Sequence, residues 1–408
     1  MPAKAALNHI RYLTKTIGPR GTMTQGELRA ATYVEQVMCS LGLRDVRIEP
    51  FTAPRSMWLP YAASCGVAMM GALAGLMGSQ AAAGVGSLLS LLAAYWFFAE
   101  FSFRNALLHS MLPQGRSQNV LGVIPARRRG HRRVILVGHL DTQRTPWFFA
   151  SLPGLLLFMG SVYIGFGGMV LNGLLLAARA LAGIPPSPAL SWPLTLWFGL
   201  GAAACLQAER TPFTVGANDN ASAVGVVLGL AERLMAEPLE HTEVWVLCTG
   251  SEEVGCRGMV EFLQRHREEL QEAIFLDLEG VGIGQVRYSV REGMLWPYRT
   301  PPDLIRLAEE VAARRPDLAP RPVPLRGGYT ETGAVIAAGL KGMTVLCMTP
   351  EGMVPYWHQR EDTFDKLDPA ALERAGAFVG ELLREVDKLQ TQQGLGGLRC
   401  TQPAADEN

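Results

Sequence analysis

Five separate segments of this 408-residue chain carry acidic or imidazole side chains close to where apolar runs end. They contribute His139 with Asp141, Asp219, the adjacent pair Glu252 and Glu253, Asp277, and His358. Imidazole nitrogens and carboxylate oxygens are ligands that zinc accepts. The set is therefore large enough to hold two divalent ions and still leave one carboxylate free as a base.

The adjacent glutamates Glu252 and Glu253 suit a division of labour. Successive side chains diverge, so one carboxylate can bind a metal while its neighbour faces an attacking water. A bound metal lowers the pKa of its water to about 7, and a nearby carboxylate can then accept the proton. This chemistry makes the chain a candidate hydrolase.

The remaining residues have roles that follow from their positions. His139 and Asp141 lie two apart, so Asp141 could accept the second imidazole N–H and fix the tautomer of His139. Asp219 precedes a predicted helix, where a carboxylate could bridge two metals. Two imidazoles with the carboxylates of Asp219, Glu253 and Asp277 suit zinc, with cobalt or manganese as alternatives.

Each of these signals is weak when it is taken alone. A Glu-Glu pair is commonly surface charge, Asp277 could cap a strand end, and His358 could form an aromatic contact. Their order along the chain favours one shared site, because ligands in α/β sheets bind outside the carboxyl ends of the strands.

Alternating strands and helices predict an α/β fold, a three-layer α/β/α sandwich with a mostly parallel central sheet. The predicted strands cover 46–51, 119–124, 133–137, 243–248, 273–276, 285–290, 321–325 and 343–348, and 119–124 and 133–137 are interpreted as neighbours. The main predicted helices cover 221–235, 257–270, 303–314, 331–339 and 369–389.

Two long apolar stretches interrupt this alternation. Residues 56–99 and 145–178 contain no charge, and after Arg179 the chain is uncharged to Ala208. A membrane-spanning helix needs about 20 apolar residues. We therefore predict about four spans in two hairpins, with buried core helices of a soluble protein as the alternative.

Charge predicts how the chain lies in the membrane. Basic residues crowd the side that carries the hydrophilic segments, at Arg104, Arg116, 127–129 and 132–133, whereas the opposite loops carry little beyond Arg179. The positive-inside rule then places the catalytic part in the cytoplasm, at the plasma membrane of a prokaryote. Acidic and basic residues balance at 37 each, which gives no reason to expect a nucleic-acid partner.

These observations divide the chain into six parts. Residues 1–55, 104–145 and 209–390 form the catalytic domain, 56–103 and 146–208 are the two transmembrane hairpins, and 391–408 is a disordered tail. The oligomeric state is open.

The order of the motifs resembles the M28 family of co-catalytic zinc aminopeptidases. The family pattern is matched by Gly138-His-Leu-Asp-Thr142, Ala217-Asn-Asp-Asn-Ala-Ser-Ala223, Gly250-Ser-Glu-Glu-Val-Gly255, Phe275-Leu-Asp-Leu-Glu279 and His358-Gln-Arg-Glu-Asp-Thr363. The resemblance covers about 5–55, 117–148 and 210–390. It implies two zinc ions, with His139, Glu253, Asp277 and His358 divided between them, Asp219 as the bridge, Glu252 as general base and Asp141 orienting His139.

The chain departs from the family pattern in three places. Eighty positions separate His139 from Asp219, because the second apolar hairpin lies between them. Asn218 and Asn220 flank Asp219, where the family commonly has acidic neighbours. A turn of sequence Gly328-Tyr-Thr-Glu-Thr332 stands where the family often has a Ser-Asp-His turn.

The sequence as a whole predicts a membrane-anchored zinc exopeptidase acting on peptides, most simply an aminopeptidase (EC 3.4). The alternatives are another zinc amidohydrolase, namely a dipeptidase, a carboxypeptidase or an N-acyl amino acid deacylase, and a non-catalytic membrane scaffold on a peptidase fold. Whether the hairpins do more than anchor the protein is left open.

Overall fold

A computed structural model describes residues 3–104, 107–128 and 132–392. Most of the predicted C-terminal tail, residues 393–408, lies outside the described residues, as does Arg129 of the basic turn.

Nine strands form one sheet at the centre of the hydrophilic part. The strands are β1 (Arg44–Pro54), β2 (Gln114–Ile124), β3 (Arg132–His139), β4 (Thr242–Thr249), β5 (Ile274–Glu279), β6 (Gln285–Glu292), β7 (Tyr298–Arg299), β8 (Arg321–Pro324) and β9 (Lys341–Met348). Their order is β1-β2-β4-β3-β5-β9-β6-β7, and β8 pairs with β6.

The sheet is mixed, with a parallel centre. Strands β4, β3, β5 and β9 run parallel to one another, whereas β1–β2, β2–β4, β6–β9 and β6–β7 pair in antiparallel fashion. Pairing is parallel at the centre and between β6 and β8, so the sheet expected to be mostly parallel is a mixed one. The interpretation of 119–124 and 133–137 as neighbouring strands is wrong, because β4 lies between β2 and β3.

Twelve helices accompany the sheet within the described residues. They are α1 (Ala3–Arg11), α2 (Gln25–Leu41), α3 (Trp58–Leu76), α4 (Gln80–Glu100), α5 (Leu107–Met111), α6 (Leu152–Ala182), α7 (Pro188–Ala208), α8 (Ala223–Ala236), α9 (Arg257–Arg265), α10 (Pro302–Arg314), α11 (Glu331–Ala337) and α12 (Pro369–Gln392).

The central strands bury side chains on both faces. Val134 and Leu136 of β3 join a core cluster that contains residues of α2, α8, α10 and α12. Ile135 and Val137 alternate with them and join a second cluster, which contains residues of α9 and α11. Strands buried on both faces read as continuous apolar runs, and this explains the sequence of β3.

The register of these strands determines what meets at their carboxyl ends. Val137 of β3 pairs with Asp277 of β5, and His139 of β3 pairs with Thr249 of β4. Side chains alternate between the two faces of a strand, so Asp277 and Glu279 share the face of β5 that carries Phe275. Glu279 is the next residue on that face toward the end of the strand. Short loops after β3 and β4 thus bring acidic and imidazole groups to one edge.

Helices α3, α4, α6 and α7 are long and apolar enough to cross a membrane, judged by length and composition. The 19 residues of α3 correspond to about 28 Å of helix, close to the hydrocarbon thickness of a bilayer. Their large apolar side chains are exposed on the outside of the bundle, at Met70, Leu73, Leu88, Leu174, Leu196 and Leu200 among others.

Small and polar residues fill the contacts inside the bundle. The amide of Asn172 on α6 donates to the Ser90 hydroxyl on α4 at 2.8 Å, and the Ser87 hydroxyl donates to the Gly173 carbonyl at 2.8 Å. Arg179 near the end of α6 donates to the Gly75 carbonyl at 3.0 Å. Close packing through small residues with interhelical hydrogen bonds is typical of membrane helices.

Both apolar hairpins leave the hydrophilic part and return to it at adjacent points. The amide of Arg55, just after β1, donates to the Pro113 carbonyl just before β2 at 2.9 Å. Arg144 and Phe213 form an antiparallel bridge around the second hairpin. Each insertion therefore begins and ends at neighbouring backbone positions.

Two glycines of α4 offer a test of this packing. A Cβ at Gly86 would lie 2.4 Å from the carbonyl oxygen of Gly71, whereas the nearest atom to a Cβ at Gly84 is the Ala180 Cβ at 3.8 Å. We expect Gly86→Ala to force α3 and α4 apart and to lower the free energy of unfolding by about 1–3 kcal/mol. The measurement is thermal unfolding of the full-length protein in detergent. Gly84→Ala is the matched control, and equal melting temperatures for the two variants would contradict the packing.

Candidate metal centre

His139 is held at the end of β3 with one nitrogen facing the other site residues. Its Nδ1 lies 3.2 Å from the backbone carbonyl of Asp141, which can only accept a hydrogen bond. Nδ1 therefore carries the proton, and the lone pair of Nε2 faces inward. The backbone of Asp141 thus does the orienting expected of its side chain, whose Oδ1 lies 3.5 Å from Nδ1.

Asp219 lies between the two histidines. Its Oδ1 is 3.3 Å from His139 Nε2, and its Oδ2 is 3.3 Å from His358 Nε2. The side chain is buried, and neither carboxylate oxygen accepts a hydrogen bond within the described part of the chain. A buried carboxylate without hydrogen bonds needs a positive partner, and this one faces two separate imidazoles.

A different glutamate accompanies each histidine. Oε2 of Glu279 is 3.4 Å from His139 Nε2, and Oε2 of Glu253 is 3.2 Å from His358 Nε2. The ligand atoms of His139, Asp219 and Glu253 also lie within 4.8 Å of one another. Two atoms bound to one tetrahedral zinc lie about 3.4 Å apart, so these separations and donor types fit zinc.

Glu252 lies slightly farther from His139 than Glu279 does. Its Oε2 lies 3.8 Å from His139 Nε2, and its Oε1 accepts from the Cys256 thiol at 3.2 Å. Burial raises the pKa of the Glu252 carboxyl well above its usual range; His139 opposes the rise and Glu253 adds to it. Cations bound at the neighbouring ligands would favour the charged form.

Excess negative charge is the main electrostatic property of the cluster. Burial lowers the pKa of His139, but the carboxylates of Glu279 and Glu252 outweigh burial and raise it well above its usual value. For Glu279, burial raises the pKa to about 8. Groups that hold protons so strongly in the absence of metal are suited to exchange them for cations.

The carboxylate of Asp141 has a wider role than the sequence suggested. Its Oδ1 accepts the Glu252 backbone N–H at 3.0 Å, and its Oδ2 accepts the Glu253 N–H at 3.2 Å. The hydroxyl of Thr22 also donates to Oδ2, at 2.5 Å. One buried side chain therefore fixes the loop that carries both glutamates.

The asparagines beside Asp219 position the loop after β5. The Asn220 amide donates to Glu279 Oε2 and to the Leu278 carbonyl, both at 3.0 Å. The Asn218 carbonyl oxygen accepts the Gly282 N–H at 2.8 Å. Amides can donate where acidic neighbours could not, so these departures from the family pattern hold Glu279 in place.

Two buried charged residues that sequence reasoning missed hold the loop of Asp219. Asp362 accepts the backbone N–H groups of Asn218 and Asp219 at 2.6 and 2.9 Å. The guanidinium of Arg20, which is 1% exposed, donates to the carbonyls of Leu140, Val215 and Gly216 at 2.8–2.9 Å. Asp362 stands in the quoted motif that starts at His358, but Arg20 carries no local signal.

Asp277, which the sequence assigned as a ligand, lies deeper in the sheet. It is buried beside Thr344 of β9 and forms no ion pair within 4 Å with either histidine among the described residues. Burial raises the pKa of Asp277 to about 6, opposed by Thr330. Glu279, and not Asp277, lies within 4 Å of His139 among the described residues, and both Asp277 oxygens, like those of Asp219, accept no hydrogen bond there. Period-two alternation along β5 places Glu279 on the same face as Asp277 and is the sequence signal for Glu279.

The turn Gly328-Tyr-Thr-Glu-Thr332 forms a group of buried polar side chains. The Thr330 hydroxyl lies 2.7 Å from that of Thr344, and the backbone N–H of Thr330 donates to Glu292 at 3.0 Å. Glu331 is also buried, and burial with the charge of Asp277 raises its pKa well above its usual value. Tyr329 packs edge-on against Phe103, 4.7 Å between ring centroids.

The apolar bundle reaches the cluster directly. The ring of Phe149, three residues before α6, lies 4.7 Å from the His358 ring and nearly perpendicular to it. Gln359 donates to the Phe149 carbonyl at 2.8 Å. Gln143, just before the second hairpin, donates to Glu253 Oε2 at 3.1 Å. The second hairpin therefore borders the site.

Residues 202–383 match the model of a family described as peptidase family M28. This segment belongs to peptidase family M28. The protein is therefore a peptidase, an enzyme that hydrolyses peptide bonds. The M28 segment carries Asp219, Glu252, Glu253, Glu279 and His358, and β3 brings His139 to it from outside the matched residues. No curated protein matches the chain significantly.

Solved structures share the M28 fold at low identity. A zinc aminopeptidase from Bacillus subtilis is 15% identical, with a TM-score of 0.55 over 94% of each chain. An aminopeptidase from Aneurinibacillus sp. strain AM-1 is 14% identical, with a TM-score of 0.56 over 94% of this chain and 93% of that chain. A glutaminyl cyclase from Bacteroides thetaiotaomicron is 14% identical, with a TM-score of 0.54 over 94% of this chain and 97% of that chain.

The zinc content of two variants tests whether Glu279 or Asp277 is the metal ligand near His139. We expect Glu279→Gln to lose part of the zinc that the purified protein retains after dialysis, because one carboxylate oxygen leaves the group around His139. Asp277→Asn, the matched control two residues earlier, should keep its zinc. Zinc per protein is measured by mass spectrometry of the elements. Loss in Asp277→Asn with retention in Glu279→Gln would restore the assignment made from the sequence.

Proposed function

We propose that this protein is a membrane-anchored aminopeptidase that uses two zinc ions to hydrolyse N-terminal peptide bonds. The observation that carries the proposal is the position of Asp219, with each oxygen 3.3 Å from a different histidine. One ion would be held by His139, Asp219 and Glu279, and the other by His358, Asp219 and Glu253. Cobalt or manganese would suit the same ligands.

The ligand set differs from the sequence prediction by one residue. Glu279 replaces Asp277, because its carboxylate reaches His139 and is steadied by the Asn220 amide. Bound zinc lowers the pKa of a water and polarises the carbonyl of the bond to be cleaved.

Glu252 would move the proton in this reaction. It would accept a proton from the attacking water at a carboxylate oxygen and then donate it to the leaving amine. Asp141 would hold Glu252 and Glu253 in register through their backbone N–H groups, and the peptide carbonyl of Asp141 would keep the His139 lone pair facing inward. The chain thus separates proton transfer from metal binding in two adjacent residues.

Membrane anchoring is supported by the outer surface of the bundle. Leu88, Leu174 and Leu200 are 57–72% exposed, and they belong to helices whose inner contacts are small and polar. Contiguous apolar surface of this extent marks a membrane contact. In this proposal 56–103 and 146–208 are the transmembrane hairpins, and the remaining segments to 390 form a three-layer α/β/α sandwich on the cytoplasmic side.

The solved neighbours support an aminopeptidase over other exopeptidases, since several are named as aminopeptidases. A panel of aminoacyl-nitroanilides with free and with acetylated amino groups tests this. We expect turnover of the free series only. Release of acetate without nitroaniline from the acetylated series would identify a deacylase. In a parallel assay of dipeptides with free or amidated carboxyl ends, cleavage of the free series only would identify a carboxypeptidase.

The role of Glu252 gives a separate test. We expect Glu252→Gln to lower kcat by about 10²–10⁴-fold, because the amide cannot accept the proton of water. Zinc content should stay that of the wild type, since Glu252 is not in either ligand group. Glu268→Gln, which removes an exposed carboxylate elsewhere, should leave kcat unchanged. Unchanged turnover in Glu252→Gln would exclude Glu252 as the base.

A further inference from the structure

A cavity that is separate from the metal centre lies between the end of α4 and helices α9 and α11. Its volume is about 790 Å³. Its apolar lining comes mainly from Phe98 and Phe103 at the end of α4, from Leu263 of α9, from Ala334 of α11 and from Trp296. None of the residues around His139 and His358 lines it.

The polar residues of this cavity are either positively charged or neutral, with hydroxyl or amide groups. Arg104 and Arg267 both line it, and both are exposed. Within the described part of the chain, neither side chain has a carboxylate within 4 Å, and no acidic residue lines the cavity. Gln264 and Gln271 add amide donors. The guanidinium of Arg104 also lies over the Phe98 ring, 5.9 Å from the ring centroid. The site therefore combines an apolar floor with two guanidinium groups that have no carboxylate partner among the described residues.

The cavity lies at the level where the apolar bundle meets the peptidase part. Phe98 is in the last turn of α4, and its ring lies 6.1 Å from that of Phe166 on α6. Trp296 is 56% exposed, and the neighbouring Met294 carbonyl accepts from the Tyr163 hydroxyl of α6 at 3.3 Å. Exposed tryptophan beside the ends of apolar helices is typical of a membrane interface.

We propose that this cavity binds an anionic membrane phospholipid, an inference that rests on the proposed membrane anchoring. The headgroup phosphate would lie between Arg104 and Arg267, since guanidinium groups bind phosphate through paired N–H donors. An acyl chain would pass over Phe98 and along the apolar outside of α4. Basic pockets beside transmembrane helices are suited to such headgroups, and the absence of acidic lining residues favours an anion over a zwitterion.

The test uses the full-length protein reconstituted in bilayers that contain phosphatidylglycerol and phosphatidylcholine. Lipids retained after extraction are counted by native mass spectrometry, which does not depend on peptidase activity. We expect wild type to retain phosphatidylglycerol in preference. The Arg104→Gln/Arg267→Gln protein should lose about 25-fold of this preference, because each arginine near the surface contributes about fivefold.

Two further variants separate charge from space. Arg29→Gln/Arg306→Gln removes two exposed arginines of α2 and α10, and should retain phosphatidylglycerol as wild type does. Ala337→Phe places a larger side chain in the cavity without changing charge, and should lower retention. Ala337 is exposed, so this substitution leaves the core unchanged.

Three results would overturn the proposal. The first is equal retention of both lipids by wild type, and the second is unchanged retention in Arg104→Gln/Arg267→Gln. The third is displacement of the lipid by inorganic phosphate, at phosphate concentrations at which phosphate binds the wild type but not the double variant. Failure of membrane anchoring would be seen separately, as a protein that remains soluble and monodisperse without detergent.

Discussion

Repulsion among buried carboxylates is the constraint on which the rest of this structure depends. Asp219, Glu253 and Glu279 converge on two imidazoles, and their side chains are 1%, 5% and 13% exposed. Such a cluster stays together only if cations or protons balance it and if the backbone around it cannot relax. Burial raises the pKa of Glu279 to about 8, and the charges of Asp219 and Asp277 act in the same direction.

The surrounding loops are fixed by hydrogen bonds that work against this repulsion. Asp141 fixes the loop of the two glutamates, Asp362 fixes the loop of Asp219, and Arg20 joins the loops after β3 and before Asp219 through three carbonyls. Each carboxylate in this framework accepts backbone N–H groups, and the guanidinium donates to carbonyls. These loops and the side chains they carry are therefore held in place by the chain's own hydrogen bonds, as the proposed metal site would require.

The sequence predicted the elements and most of the site because its signals are local. His139, Asp219, Glu253 and His358 meet as the motif order suggested, and the four apolar helices appear where charge is absent. Glu279 was not among the ligands predicted from the sequence, because Asp277 stands in the motif that resembles the family pattern; the distance of each carboxylate from His139 depends on its position along β5. The pairing of β2 with β4 and the role of Arg20 depend on contacts distant in sequence, so no local pattern could supply them.

The bridge between Arg144 and Phe213, and the hydrogen bond from Arg55 to Pro113, have a consequence for how such a chain can be assembled. The first and last residues of each hairpin are thus held next to each other by backbone contacts of the sheet domain. Loop-closure entropy grows only with the logarithm of loop length, about 0.6 kcal/mol for each doubling. Lengthening two surface loops into apolar helical hairpins therefore costs the fold little conformational entropy. In modular terms, the fold carries two helical insertions without a change in its connectivity.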